Sequence, residues 1–257
     1  QMRILGINCM NHDAAMAVVD YSSGIGEVLW AAHAERYSKV KNDHYLNQAI
    51  VDEAMTYGPF NKVVYYEKPL LKKTRQMYAG QWSDALSYTE MPQWHLDHFK
   101  IKIDEYVKHH DSHAAAGYFT SPFREATILT VDAIGEWDTV SISTAEKIWI
   151  ERKETIKYPH SIGILYSAFT QRCGLKPAEE EYILMGMAAY GEPKYKQDIY
   201  NDFVEQSPFK LKQNLHRGLS DWHPEADPMD LAASIQAVTE ELLAGLWKRA
   251  SKYGSRN

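Results

Sequence analysis

The 257 residues are enough for one or two domains with a sizeable core. Hydrophobic residues make up 45% and charged residues 24%, globular values that exclude broad disorder. A net charge of −6 argues against a nucleic-acid-binding surface. No stretch approaches the roughly 18 apolar residues of a membrane span.

No basic segment followed by an apolar one opens the chain, so a soluble, cytoplasmic protein is expected. Cys9 and Cys173 fit no paired-cysteine motif and are read as reduced. Gln1 before Met2 is read as the remnant of a tag and set aside. Met2–Cys9 reads as a strand, Asn11-His12-Asp13 as a turn and Ala14–Tyr21 as a second strand. Ser22–Gly26 has hairpin composition and leads into a third strand, Glu27–Ala34. Glu35–Lys41 reads as a charged loop. Asn47–Tyr57 has helical periodicity through Ile50, Val51, Ala54 and Met55, and Gly58-Pro59 stops it. Lys62–Glu67 is a fourth strand. Leu70–Trp94 reads as a helical insertion at the sheet edge, and Tyr106-Val107-Lys108 leads to His109-His110-Asp111-Ser112-His113. Ala114–Phe119 continues that stretch as a helix until Ser121-Pro122.

The opening pattern then returns. Ala126–Asp132 is a strand, Ile134–Trp137 a turn, and Thr139–Thr144 and Lys147–Ile156 are two more strands. Ile162–Cys173 is a helix capped by Gly174. Three strands followed by a helix thus occur twice, which predicts a duplicated α/β unit with two lobes, 2–125 and 126–257, around a cleft. The turns at Asn11–Asp13 and Ala133–Glu136 are expected to meet there, where turn amides can cradle phosphate. Glu179–Leu184 is a short helix. Met185–Gly191 reads as a small-residue turn open to a flat ligand, or as a packed helix crossing. Asp198–Val204 is helical, and Asn214–Pro228 is a polar loop. Leu231–Trp247 is an amphipathic helix with Leu231, Ile235, Val238, Leu242 and Leu246 on one stripe. The second half stops with no strand to match Lys62–Glu67, so the chain is expected to continue beyond Asn257.

One constellation carries chemistry. His109 and His113 stand at i and i+4, on one helix face, where two imidazoles can share a metal ion. Asp132 ends an apolar strand and can add a carboxylate. Two histidines and a carboxylate with open positions suit Fe(II), with Zn²⁺ as competitor. The same spacing also makes a plain polar helix face. His110, at i+1, points off that face and reads as a packing residue, and Asp111 and Ser112 as helix caps.

A set of ordered segments then narrows the reading. They are Ile4-Leu5-Gly6-Ile7 with His12-Asp13-Ala14-Ala15, and Glu35-Arg36-Tyr37-Ser38 with Lys41. The His109–Ala114 stretch, Ser121-Pro122-Phe123, and Val131-Asp132 with Gly135-Glu136-Trp137 follow. His160–Gly163 with Leu165-Tyr166-Ser167, Glu181-Tyr182, Met185-Gly186 and Ala188–Gly191 complete the set. In this order they resemble the N-terminal region of the NodU/CmcH-type O-carbamoyltransferases. The resemblance implies a duplicated actin-like (ribonuclease H-like) fold with an incomplete second lobe. It implies an enzyme that uses carbamoyl phosphate and ATP through a carbamoyl-adenylate to carbamoylate a small-molecule hydroxyl, as on a sugar or secondary metabolite. It implies iron held by His109, His113 and Asp132, and a YrdC-like C-terminal domain beyond this chain. Two positions depart from the family pattern: Ala133 and Ile183 stand where glycine and lysine are usual.

Within that frame His12 is the candidate general base, since imidazole titrates near neutral pH. The plainer reading is a turn histidine held by Asp13. Asp13, Arg36, Lys41, Gly135, Glu136, Gly186 and Tyr190 are candidate substrate or nucleotide contacts. Two other functions stay open: a metal- or nucleotide-binding fragment that needs a complementary part, and a threonylcarbamoyl transferase acting on tRNA.

Overall fold

The computed structural model of the chain describes residues 2–254; the reading made of Gln1 falls outside them. The chain divides into two compact units, the first ending at His113 and the second beginning at Ala114.

The first unit holds a five-stranded sheet of order β3-β2-β1-β4-β5. β1 (Arg3–Asn8), β2 (Ala15–Asp20) and β3 (Glu27–His33) form an antiparallel meander. Side chains alternate across a strand, so Leu5 and Ile7 of β1 face inward with Met16 and Val18 of β2. β4 (Lys62–Tyr65) then pairs parallel to β1, and the short β5 (Glu105–Tyr106) parallel to β4. Glu35–Ser38 is one helical turn, α1, closed by Lys39 at φ 60, and not the loop expected there. α1 forms because the backbone N–H groups of Ser38 and Lys39 find carbonyls four residues back. α2 (Gln48–Met55) begins where the Asn47 side chain accepts from the Ile50 N–H, and it buries Ile50, Val51 and Ala54. The segment between β4 and β5 is three short helices, α3 (Pro69–Tyr78), α4 (Trp82–Leu86) and α5 (Pro92–Leu96).

α6 (His109–Phe119) contains the division between the units. In the second unit β6 (Glu125–Gly135), β7 (Asp138–Glu146) and β8 (Trp149–Lys157) repeat the antiparallel meander, in the order β6-β7-β8. β6 runs three residues past Asp132, so that carboxylate does not end its strand as expected. Pairing steps from Val131↔Val140 to Gly135↔Asp138, which leaves Asp132, Ala133 and Ile134 opposite Thr139 alone. Such a bulge re-aims the side chains it carries. α7 (Ile162–Arg172) follows, then α8 (Glu181–Met187) and α9 (Lys196–Phe203). A hairpin of β9 (Val204–Gln206) and β10 (Phe209–Leu211) was not expected from the sequence. α10 (Pro228–Ala250) buries all five apolar positions of its stripe.

Met185–Gly191 is a continuation of α8 and a 3-10 turn, not an open loop. A Cβ on Gly191 would collide with the Met229 carbonyl, so the close approach there is to the start of α10. The crossing reading holds at this position.

Ser161 caps α7 and joins it to the bulge. Its hydroxyl accepts from the Ile164 N–H at 3.0 Å and donates to the Ala133 carbonyl at 2.7 Å. Gly163 lies so close that a Cβ there would stand 2.6 Å from Ala133 Cα. Backbone opposes it, so the chain must shift. Gly163→Ala is expected to cost about 1–3 kcal/mol of stability by overpacking. Denaturant unfolding measures this, and an unchanged midpoint would contradict the tight bulge–helix contact.

Candidate metal centre

In the first unit the end of β4 and the start of α6 are tied by two hydrogen bonds. The Val107 N–H donates to the Tyr65 carbonyl at 3.1 Å, and the Ser112 hydroxyl to the Tyr66 carbonyl at 2.7 Å. These bonds place His109 beside Glu67. The His109 Nδ1 lies 3.5 Å from Glu67 Oε2, and Lys72 Nζ lies 3.0 Å from Oε1. Glu67 and His109 are only 5% and 7% exposed. Burial pushes the Glu67 carboxyl up, but His109 and Lys72 outweigh it and hold it below the usual glutamate value. The Tyr66 and His109 rings pack edge to face with centroids 5.2 Å apart.

The other ring nitrogen of His109 faces its neighbour one turn on. The Nε2 atoms of His109 and His113 are 3.0 Å apart. Two lone pairs at that distance need a proton or a cation between them. Two nitrogens each about 2.1 Å from one ion, at about a right angle, are about 3.0 Å apart. The pair therefore has the bite of a two-histidine metal site. His110 is buried, in keeping with a packing role.

In the second unit Asp132 is half-buried in the β6 bulge, and its Oδ1 accepts from the Ala133 N–H at 2.7 Å. Glu136 occupies the β6–β7 turn at φ 60 and is buried.

With this geometry in view, comparison with known proteins narrows the field. The model of the family described as "Carbamoyltransferase N-terminus" matches residues 70–257. The chain belongs to this family. An uncharacterized protein of Synechocystis sp. is 31% identical over 295 residues, covering 95% of this chain and 47% of its own length. Nodulation protein NolNO of Sinorhizobium fredii is 24% identical over 216 residues, covering 77% of this chain and 30% of its own length. The chain thus spans less than half the length of these relatives. A PPX-GPPA enzyme of Aquifex aeolicus aligns over 94% of this chain and 92% of its own at 11% identity and TM-score 0.35, a likeness that assigns no fold. No helix among the described residues is long and apolar enough to cross a membrane.

The remaining sequence candidates of this carbamoyltransferase-family chain are each placed in their own unit. His12 is exposed, with Nδ1 2.9 Å from Asp13 Oδ2, the contact expected of a turn histidine. That turn is pinned by Met10 and Ala14 N–H groups donating to the His44 and Asp43 carbonyls. Arg36 and Lys41 are exposed around α1. Gly186 lies within α8, and Tyr190 is 83% exposed. Ala133, read from the sequence as a departure, is the residue that Gly163 packs against. Ile183, read likewise, is half-buried in α8.

Glu67 and Lys72 were missed as site residues. The signal was present: Glu67 closes an apolar strand run as Asp132 nearly does. Cys9 is also near this region, but burial pushes its thiol up to about 12, and Cys173 is raised to about 11, chiefly by burial. Thiolate is the reactive form, and at pH 8 a thiol of pKa about 12 is roughly one part in ten thousand ionised. The folded chain is expected to label slowly with a disulfide reagent at pH 8, with Cys9 reacting only on unfolding. Rapid labelling of Cys9 in the folded state would contradict its burial.

Proposed function

We propose that the chain is the N-terminal catalytic portion of an O-carbamoyltransferase. In this reading His109, His113 and Asp132 each give one ligand atom to one metal ion. The observation that carries it is the 3.0 Å approach of the two Nε2 atoms, on a helix inside the family's matched span. Fe(II) is the favoured ion and Zn²⁺ the competitor, because the donors are imidazole and carboxylate with no thiolate. Bound there, the ion supplies Lewis acidity toward a carbonyl or phosphoryl oxygen.

The other parts fall to this chain's side chains. Asp13 holds Nδ1 of His12, which leaves Nε2 to take the proton of an acceptor hydroxyl. The hydroxyl oxygen then bonds to the carbamoyl carbon of a carbamoyl-adenylate. The bond from that carbon to phosphate oxygen breaks, and AMP leaves. The adenylate forms from carbamoyl phosphate and ATP on a YrdC-like C-terminal domain. Arg36, Lys41 and Tyr190, with Gly135, Glu136 and Gly186, are proposed to line the path of nucleotide and acceptor. The acceptor is a hydroxyl of a sugar or secondary metabolite. The two strand–strand–strand–helix units support a duplicated actin-like fold for this assembly.

Metal analysis tests the centre. The purified chain is expected to carry about one equivalent of iron or zinc, and His109→Ala or Asp132→Ala to carry almost none. Full occupancy in either variant would overturn the ligand set. In the full-length enzyme, His12→Ala is expected to lower kcat by about 10²–10⁴-fold, the usual worth of a general base. A kcat within twofold of wild type would remove His12 from that role.

A further inference from the structure

Resting on the metal centre proposed above, we infer that Glu67 is its positioning residue. The Glu67 carboxylate holds the proton of His109 on Nδ1 and so makes Nε2 the electron-pair donor to the ion.

A carboxylate with 5% exposure is costly unless both oxygens are answered. Lys72 answers Oε1 at 3.0 Å. Oε2 faces Nδ1 of His109 at 3.5 Å, close enough for electrostatic attraction but outside hydrogen-bond geometry. A lone ion pair with Lys72 could have formed at the surface, so the inward placement of Glu67 asks for a second purpose. A neutral imidazole carries one proton, on Nδ1 or on Nε2. A carboxylate beside Nδ1 selects the Nδ1–H tautomer. The unprotonated Nε2 then points at His113 Nε2, 3.0 Å away.

The arrangement is also fixed in place. The Val107 N–H and the Ser112 hydroxyl, donating to the Tyr65 and Tyr66 carbonyls, lock the residue before Glu67 to the first turn of α6. The Tyr66 and His109 rings, with centroids 5.2 Å apart and planes at 60°, pack edge to face, which restricts rotation of the imidazole. Carboxylate, histidine and metal in this order is a common outer-shell device. It orients the ligand and raises its basicity, and losing the carboxylate typically weakens metal binding 10–100-fold.

Co(II) titration followed by visible absorption tests this on the 257-residue chain. Glu67→Gln keeps the side-chain volume and removes the charge. Its dissociation constant is expected to rise 10–100-fold, with a changed ligand-field spectrum and an unchanged circular dichroism spectrum. A Glu67→Gln constant within twofold of wild type, with the same spectrum, would overturn the inference while leaving the centre intact. A wild-type chain that binds no Co(II) would overturn the centre and this inference with it. Should Glu67→Gln not fold, long-range ¹H–¹⁵N correlation on the metal-free wild type decides. The Nδ1–H tautomer at His109 is expected, and an Nε2–H tautomer would contradict it.

Discussion

Glu67 sits just past the end of β4 with almost no exposure, and a carboxylate so placed must be answered by charge or by hydrogen bonds. Lys72 and His109 answer it from two sides. The parallel pairing of β4 with β1 carries Tyr65 and Tyr66 to that end of the sheet. The hydrogen bonds from the Val107 N–H and the Ser112 hydroxyl then bring the first turn of α6 to the same point. Everything proposed for the first unit follows from this junction. The imidazole of His109 has one nitrogen toward a fixed anion and the other toward His113. Without the buried anion, the two rings could share a proton in either sense and the pair would be only a polar helix face.

The second unit solves a related problem with backbone. The β6 bulge takes Asp132, Ala133 and Ile134 out of ladder register, and α7 fastens it through the Ser161 hydroxyl and the bare face of Gly163. A bulge held only by its own strand would be free to slip. Held by a helix N-terminus, it fixes where the Asp132 carboxylate leaves the sheet. The glycine that matters sterically here is Gly163, on the element facing Ala133.

Much of this was legible in the sequence. Short apolar runs between turn residues marked the strands of the first meander, and the i, i+4 spacing of His109 and His113 survived intact because a helix does hold them. The stripe on α10 read correctly since five apolar residues at helical spacing have few other outcomes. What failed had local causes. One turn of helix at Glu35–Ser38 is too short to leave a periodic signal. The β9–β10 hairpin has three-residue strands around Ser207-Pro208, and runs that short give no alternation to read. Met185–Gly191 looked open because small residues suit both a loop and a close crossing, and only the approach of Met229 decides between them. Glu67 was overlooked because a charged residue at a strand end ordinarily marks solvent. Its burial depends on Lys72 and His109, one of them far along the chain.

The central claim is that two imidazoles from one helix turn hold a metal ion together with a carboxylate. X-ray absorption at the metal edge of the iron- or cobalt-loaded chain tests it most directly. The account predicts a first shell of nitrogen and oxygen at about 2.1 Å, with the outer-shell scattering of two imidazole rings and no sulfur. A sulfur shell near 2.3 Å, or scattering from fewer than two imidazoles, would contradict it.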